Sequence, residues 1–570
     1  MKKTLAVVLA LCMVLSILVA CGSKNSTGST SSTNSTSSSS SNTQQQTIAN
    51  AGKDPVVTEV VETGDGNVSG KDGKRTFLSF GAGTAQELSP FTSSSAGNMT
   101  FRTIIYTQLA YDDGNGWLAS DAAESIEKVD TDGFQWRIKL YAGIKDSNGN
   151  PFTADDLVFT MNKIKEIGRI SYYSVFDNVV KEDDLTVLLT LKSNLNTALI
   201  DLCNNTLLVT EKAYTESPDE MKTTPVGTTQ YKLTEFVPSS YAQFEKIDNY
   251  WQTDKSKITR AAEANVDVIR ITMLKETSAK LSGLQQGTLQ LANNMTYLNT
   301  MGLDTNKFNI FEKKNTASCD NLVFNMTSTG LCANDINLRK AILYAIDNNA
   351  ILAALGGKGE ALKSEVTTDY IDYNPEWLNE DYWTYNPDLA KEYLAKSNYK
   401  GETVRLLNST DQSVQTRNEV IISQLTAIGI KAELVTLESN VYQQNQYASS
   451  GSYDICAIGV GANDYLYSDA AAKIGSDTTS DVPGTTKYGW DNAEFIALCN
   501  EVGKIQTTNK AELNEKIHDM AYENAVIKGL ASSSQYNIGI KGIESLLVTR
   551  TYIRAGATHF SADYDVFYEG

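Results

Sequence analysis

Few residues in this 570-residue chain are equipped for covalent or metal chemistry, and most of those stand alone. There are two histidines, His518 and His559, which is too few for most metal sites and most Ser-His or Cys-His nucleophile pairs. Seven cysteines occur: Cys12 and Cys21 near the N-terminus, then Cys203, Cys319, Cys332, Cys456 and Cys499 in no metal-like spacing. The last five are odd in number and suggest no disulfide framework. Cys319 and Cys332 could pair; the alternative is that all five are buried free thiols. No Gly-rich phosphate loop ending in Gly-Lys-Ser/Thr is present, and no Gly-x-Ser-x-Gly elbow. Sixty-eight Asp and Glu make some carboxylate pair inevitable, so an acid/base hydrolase would need a dedicated motif, and none is found. No catalytic residue, metal site or cofactor is therefore expected. One cysteine does stand in a dedicated pattern. Lys2 and Lys3 precede an apolar run from Leu5 to Ala20, which ends in Leu18-Val19-Ala20-Cys21-Gly22. A basic start, a short apolar core and small residues at the cut make a secretory signal. A cysteine just after the cut is the pattern of a bacterial lipoprotein signal, with the Cys21 sulfur taking the lipid. The run's sixteen positions, broken only by Ser16, fall short of the ~20 that a membrane span needs.

The segment behind Cys21 fits a tether. Residues 23–50 are almost wholly Ser, Thr, Asn and Gln, and 51–74 stay mostly polar. Such a stretch cannot bury enough apolar surface to offset its ordering entropy. As a coil it reaches roughly 40 Å. The expected division is a signal peptide at 1–20 and a lipid-anchored tether at 21–74, at the extracytoplasmic face of a cell membrane. The long Ser-rich tether suggests a Gram-positive surface. The remaining residues are too many for a single core, so at least two lobes are expected. A net charge of −19 argues against nucleic acid and against a polybasic grip on lipid.

The folded part reads as mixed α/β. Phe134, Trp136, Ile138 and Leu140 alternate with polar residues, as in a half-buried strand. Asp146-Ser147-Asn148-Gly149 is a turn, and Thr153 with Asp156 predicts a capping box. A second alternating strand runs through Leu185, Val187, Leu189 and Leu191. From Val266 to Asn293 the order is strand, helix, strand, which favours parallel strands with a right-handed crossover. Asp335 predicts a helix over 336–346. Asn386-Pro387 starts another, and Gly429 ends a third before the strand 430–437.

This order of segments resembles one family, the solute-binding proteins of peptide-type ABC importers. Its carriers are Glu87-Leu88-Ser89-Pro90-Phe91, Gln108-Leu109-Ala110-Tyr111, Asp121-Ala122-Ala123-Glu124-Ser125 and the stretch from Gly143 to Asp156. Pro225-Val226-Gly227-Thr228-Thr229-Gln230-Tyr231, Asn249-Tyr250-Trp251, Asn321–Asn325 and Leu338–Asp347 follow in the family's order. The resemblance implies a two-lobed, periplasmic-binding-protein-like fold with two hinge-crossing strands. Lobe one would span 75–310, with an extra subdomain at about 111–225. Lobe two would span 311–530, and 531–570 would return to lobe one. The crossings would lie near Phe308–Asn315 and Ala525–Gln535.

The resemblance also implies a ligand held between the lobes, with a peptide extended like an added strand. An aspartate in an Ala-Asp-Tyr-like segment of the family holds the peptide ammonium; Asp464 matches it here, with Tyr465 beside it. The family's next residues are Asp-Pro or Glu-Pro, whereas this chain has Leu466-Tyr467-Ser468-Asp469. Phe91, Thr92, Ser93 and Ser94 would form the opposite wall, and Tyr488 and Trp490 would be pocket aromatics, although both fit core packing as well. Asn325 would brace the cleft near the hinge. The implied partners are a peptide ligand, the permease subunits of an ABC importer and the membrane, reached through the lipid; the protein would be a monomer. An oligosaccharide or a metal chelate is the alternative ligand, and a peptide-sensing receptor lipoprotein the alternative role.

Overall fold

Phe77–Ala82 carries no charge and is buried from Leu78 onward, as befits its place inside a seven-stranded sheet. The computed structural model describes residues 73–92, 99–112, 118–167, 175–313, 319–446, 451–461, 466–475, 486–549 and 552–569. In the first sheet the order is Phe308–Lys313, Gln535–Ile540, Leu291–Met295, Phe77–Ala82, Val268–Met273, Tyr241–Lys246 and Tyr231–Val237. The strand–helix–strand unit does make two parallel strands, but they are not neighbours. Val268–Met273 and Leu291–Met295 each run parallel to Phe77–Ala82, which sits between them. The strand Gln535–Ile540, from near the C-terminal end, is inserted antiparallel between Leu291–Met295 and Phe308–Lys313.

A four-stranded antiparallel sheet hangs from this lobe: Ala123–Lys128, Gln135–Leu140, Thr186–Leu191 and Phe176–Lys181. Ile138 pairs with Val187, and Trp136 with Leu189, as the alternation predicts. Its helix Ala154–Glu166 starts at the Thr153–Asp156 capping box and buries Leu157, Met161 and Ile164. These side chains are continuous with Phe80, Ile271 and Leu291, so subdomain and sheet share one core.

The second lobe is built on a six-stranded sheet in the order Gly359–Ala361, Ile527–Ser533, Cys319–Phe324, Ile455–Val460, Val404–Ser409 and Ala432–Leu437. Alternate side chains serve opposite faces. Val323, Leu407 and Cys456 pack with Tyr467, Phe495 and Ile517, whereas Leu322, Leu406 and Ile455 pack with Ile342 and Leu425. Helix Ile336–Ala345 is capped by the Asp335 carboxylate, which accepts from the Leu338 amide, and Asn386 caps Pro387–Lys396 in the same way. Cys319 and Cys332 are separate buried thiols, as are Cys203, Cys456 and Cys499.

The chain changes sheets twice, after Lys313 and between Ser533 and Gln535. The two passages are side by side: Lys313 pairs with Gln535 on one side of the crossing, and Asp320 with Ala531 on the other. Asn325 is not near them. It follows Phe324, at the opposite end of its strand from the crossing, where its amide donates to Tyr453 O (3.0 Å) and caps a local turn. An Asn beside a strand end reads alike at either end in sequence, and only the strand's direction separates them. Among the described residues, no helix is long and apolar enough to cross a membrane.

Candidate functional site

Strand direction fixes where a solute could be held. In the first lobe Phe77–Ala82, Val268–Met273 and Leu291–Met295 run parallel, and two antiparallel steps bring Phe308–Lys313 into the same sense. Their C-terminal ends therefore point to the crossing. In the second lobe Ile455–Val460 is antiparallel to Cys319–Phe324, and Val404–Ser409 and Ala432–Leu437 follow its direction, so they too end at the crossing. The carboxyl edges of both sheets thus face one another across the hinge, and in open α/β sheets that edge is where ligands bind.

The lobe-two edge is polar and built in advance. Asn408 and Ser409 end their strand buried; Asn408 donates to Thr436 Oγ1 (3.0 Å), and Ser409 Oγ meets Ser439 Oγ at 3.3 Å. The next helix, Gln412–Ala427, is capped by Asp411 and turns Arg417 toward this edge. Arg417 is only 4% exposed. Its Nη1 donates to Asp320 Oδ2 (2.6 Å) and its Nε to Asn418 Oδ1 (3.1 Å), while Nη2 makes no hydrogen bond. Asn418 is itself pinned, donating to Leu407 O and Asn408 Oδ1. Burial works against the guanidinium charge, but the Asp320 carboxylate and, after it, the neighbouring Tyr442 hydroxyl outweigh it and hold the Arg417 pKa above its ordinary value. Asp320 is about one-third exposed. A charge of each sign, with one donor unused, therefore lies at the mouth of the lobe.

The sequence could not show this pair. Arg417 and Asp320 are 97 positions apart and meet only once the register of the sheet is set. The spacing of Arg417 within its helix carried the signal in part, because a charged residue sits there among buried positions.

The expected site residues separate into two groups. Asp464, Tyr465, Ser93, Ser94 and the proposed anchor Cys21 lie outside the described residues. In the sequence Asp464 comes four positions after Val460, the last residue of the strand Ile455–Val460. Phe91 is packed into the lobe-one core, edge-on to Tyr214 (4.9 Å) and Phe159 (6.2 Å). The Thr92 hydroxyl donates to Glu87, and its carbonyl accepts from Arg102 Nη1. Tyr488 is wholly buried in the lobe-two core, and Trp490, half-buried, leans on Phe495 at 4.9 Å. Of the described candidates, Phe91 and Thr92 thus belong to lobe one, and Tyr488 and Trp490 to lobe two.

The groups that could do chemistry are occupied elsewhere. His518 Nδ1 faces Glu365 Oε2 at 3.0 Å with Trp377 stacked on its ring, and His559 Nε2 meets Glu263 at 2.8 Å. Burial pushes the thiols of Cys203, Cys319 and Cys456 up to about 12, which leaves them inert. Among the described residues, no group of three His, Cys, Asp or Glu could hold a metal. Two small internal cavities, about 50 Å³ beside Arg554 and Asp121 and about 20 Å³ beside His518 and Lys528, each belong to one lobe.

Residues 118–480 match the model for bacterial extracellular solute-binding proteins, family 5. The chain is 25% identical to heme-binding protein A of Haemophilus influenzae over 446 residues, covering 72% of this chain and 77% of that protein. It is 24% identical to the dipeptide-binding protein of Escherichia coli K12 over 396 residues, covering 61% of this chain and 70% of that protein. The fold is similar to that of the oligopeptide-binding protein AppA from Bacillus subtilis in complex with a nonapeptide. That match has a TM-score of 0.69 and 18% identity, and covers 86% of this chain and 100% of that one.

Proposed function

The chain belongs to the bacterial extracellular solute-binding proteins of family 5, and from that premise we propose that it captures oligopeptides between its lobes for an ABC importer. The observation that carries the reading is Arg417, buried at the lobe-two edge with Nη2 unused and Asp320 beside it. A peptide main chain brings a carboxylate, an ammonium and a row of amide groups. The unused guanidinium donor suits the carboxylate through a charge-assisted hydrogen bond. Asp464, four positions after Val460 in the sequence, is the proposed partner of the ammonium, and strand ends on both lobes offer backbone groups to the rest. No bond is made or broken in the ligand; the chain binds, encloses and releases.

In this reading residues 1–20 are removed, Cys21 carries the lipid, and 21–74 tether a monomeric body at the outer face of the membrane, within reach of permease subunits. Similarity to a heme-binding protein supports a second ligand class, a metal chelate or another compact anion, for which the same arginine would serve. Native mass spectrometry of residues 75–570, purified without denaturation, tests both. Adducts that fragment to short peptides are the expected result. A single non-peptide mass moves the chain to the second class, and an unshifted mass after incubation with a mixed peptide digest overturns the peptide reading.

A further inference from the structure

Away from the hinge, described residues of the lobe-one subdomain touch lobe two at a well-defined place. The crossing strands occupy one edge of the lobe-one sheet, and the subdomain rejoins that sheet at Tyr231–Val237, the other edge. On the lobe-two side is the short loop between helices Ala493–Val502 and Lys510–Glu523. Leu195 and Lys504 form an isolated antiparallel bridge, in which the Ile505 amide donates to Asn194 O at 3.1 Å. The Asn194 side chain spends both its protons: Nδ2 donates to Asp132 O within the subdomain and to Gln506 Oε1 across the gap, each at 3.1 Å. The Ile505 side chain rests on Gly133, where an added Cβ would stand 3.0 Å from Ile505 Cδ1.

Both halves are held in shape by their own lobe. The Asp130 carboxylate accepts from the amides of Gly133, Phe134 and Gln135, and Trp136 Nε1 donates to Gly133 O (2.9 Å). Gly133 takes φ +84°, which a side chain would strain. On the other side the Thr507 hydroxyl donates to Glu501 O (2.7 Å), and Gly503 packs flat against Ala472 and Leu195. A preformed knob and a preformed socket meet with little ordering cost.

We propose that Asn194, Gly133 and the loop 503–506 form a clasp that holds the lobes together at the mouth opposite the hinge, whether or not a ligand is present. Such a clasp biases the open–closed equilibrium, so it sets how often the cleft opens to load or unload. It deepens the proposed function, since closure matters only if the facing edges hold a solute. Its test reads lobe separation in ligand-free protein and so stands apart from ligand identity.

Two variants, each carrying Cys21→Ser, test it. Antiparallel bridge partners stand at a Cα separation that a disulfide accepts, so the double variant Leu195→Cys/Lys504→Cys should cross-link in most molecules when treated with diamide. The native thiols of the folded body are buried and do not compete. Ile505→Asp keeps the backbone donor but removes the knob. It should enlarge the radius of gyration measured by small-angle X-ray scattering, with a shift toward open of about fivefold or more. A cysteine pair that stays reduced in folded protein, or an unchanged radius for Ile505→Asp, overturns the clasp.

Discussion

Two buried arginines sit at opposite ends of the lobe-two sheet, and the fold treats them differently. Arg339, at the end away from the crossing, donates Nε to Ala525 O, Nη1 to Cys332 O and Ala333 O, and Nη2 to Asn524 O, at 2.8–3.2 Å. Every nitrogen is used, and the partners are carbonyls at a helix start and a helix end. Arg417, at the crossing end, uses Nε and Nη1 and leaves Nη2 bare. A buried donor without a partner is costly, so a structure that keeps one has either failed to finish a site or left it for something else. The finished arginine staples the lobe; the unfinished one lies at the end of the sheet where the chain crosses to the other lobe.

Breaking the finished end should do the most damage to stability. Arg339→Met removes the donor of three carbonyls outright, those of Ala333, Asn524 and Ala525, and should lower the unfolding free energy by about 4 kcal/mol, read from denaturant curves, while leaving captured ligand in native mass spectra. A loss below about 1 kcal/mol would erase the contrast between the two arginines. Lys528, also buried, is a second staple: its ammonium donates to Leu343 O, Ile346 O and Trp383 O at 2.7–2.8 Å. Lys528→Met should cost about 3 kcal/mol.

Burial pushes the Lys528 pKa down to about 7, whereas in the unfolded chain it returns to about 10.4. Between these values the unfolded state holds the extra proton, so this residue's contribution makes stability rise with pH from about 7 toward 10. Chemical denaturation at pH 7 and pH 9 should show that slope in the wild type and a weaker one in Lys528→Met; equal slopes would mean that the amine keeps its charge throughout.

Arg417→Met should invert the pattern. Asp320 is partly hydrated and tolerates the loss, so stability should fall by only about 1 kcal/mol, but retained ligand should disappear from native mass spectra. Retention equal to wild type would remove Arg417 from the site. The smallest effect belongs to a cap shared by both schemes. Asp335→Ala frees the amides of Leu338 and Asn398 and should cost about 1 kcal/mol in the same denaturant assay, with no change in captured mass.

What could be read before the fold was known follows a physical line. Local chemistry was legible: the Thr153 capping box, the caps at Asp335 and Asn386, and the alternation that put Ile138 and Leu189 inside all depend on neighbours within a few positions. The two lobes followed from segment order. The aromatic candidates were ambiguous because Phe91 and Tyr488 satisfy a pocket wall and a core equally well, and both were drawn into cores. The Arg417–Asp320 pair and the Asn194–Ile505 contact join distant segments, so no window of sequence contains them.

The late strand Gln535–Ile540 has a consequence for how the chain is made. Among the described residues it is the strand that links Leu291–Met295 to Phe308–Lys313, and the tail beyond it returns to the start, where Tyr568 and Phe77 amides bond Arg75 and Val566 carbonyls. Lobe two, by contrast, is complete at Ser533 with both its ends at the crossing. A ribosome delivering residues in order therefore finishes the second lobe before the first can close. Until its last thirty-odd residues emerge, the first lobe is a sheet with a missing stave, a state suited to passage as an unfolded thread and to capture by whatever guards such threads.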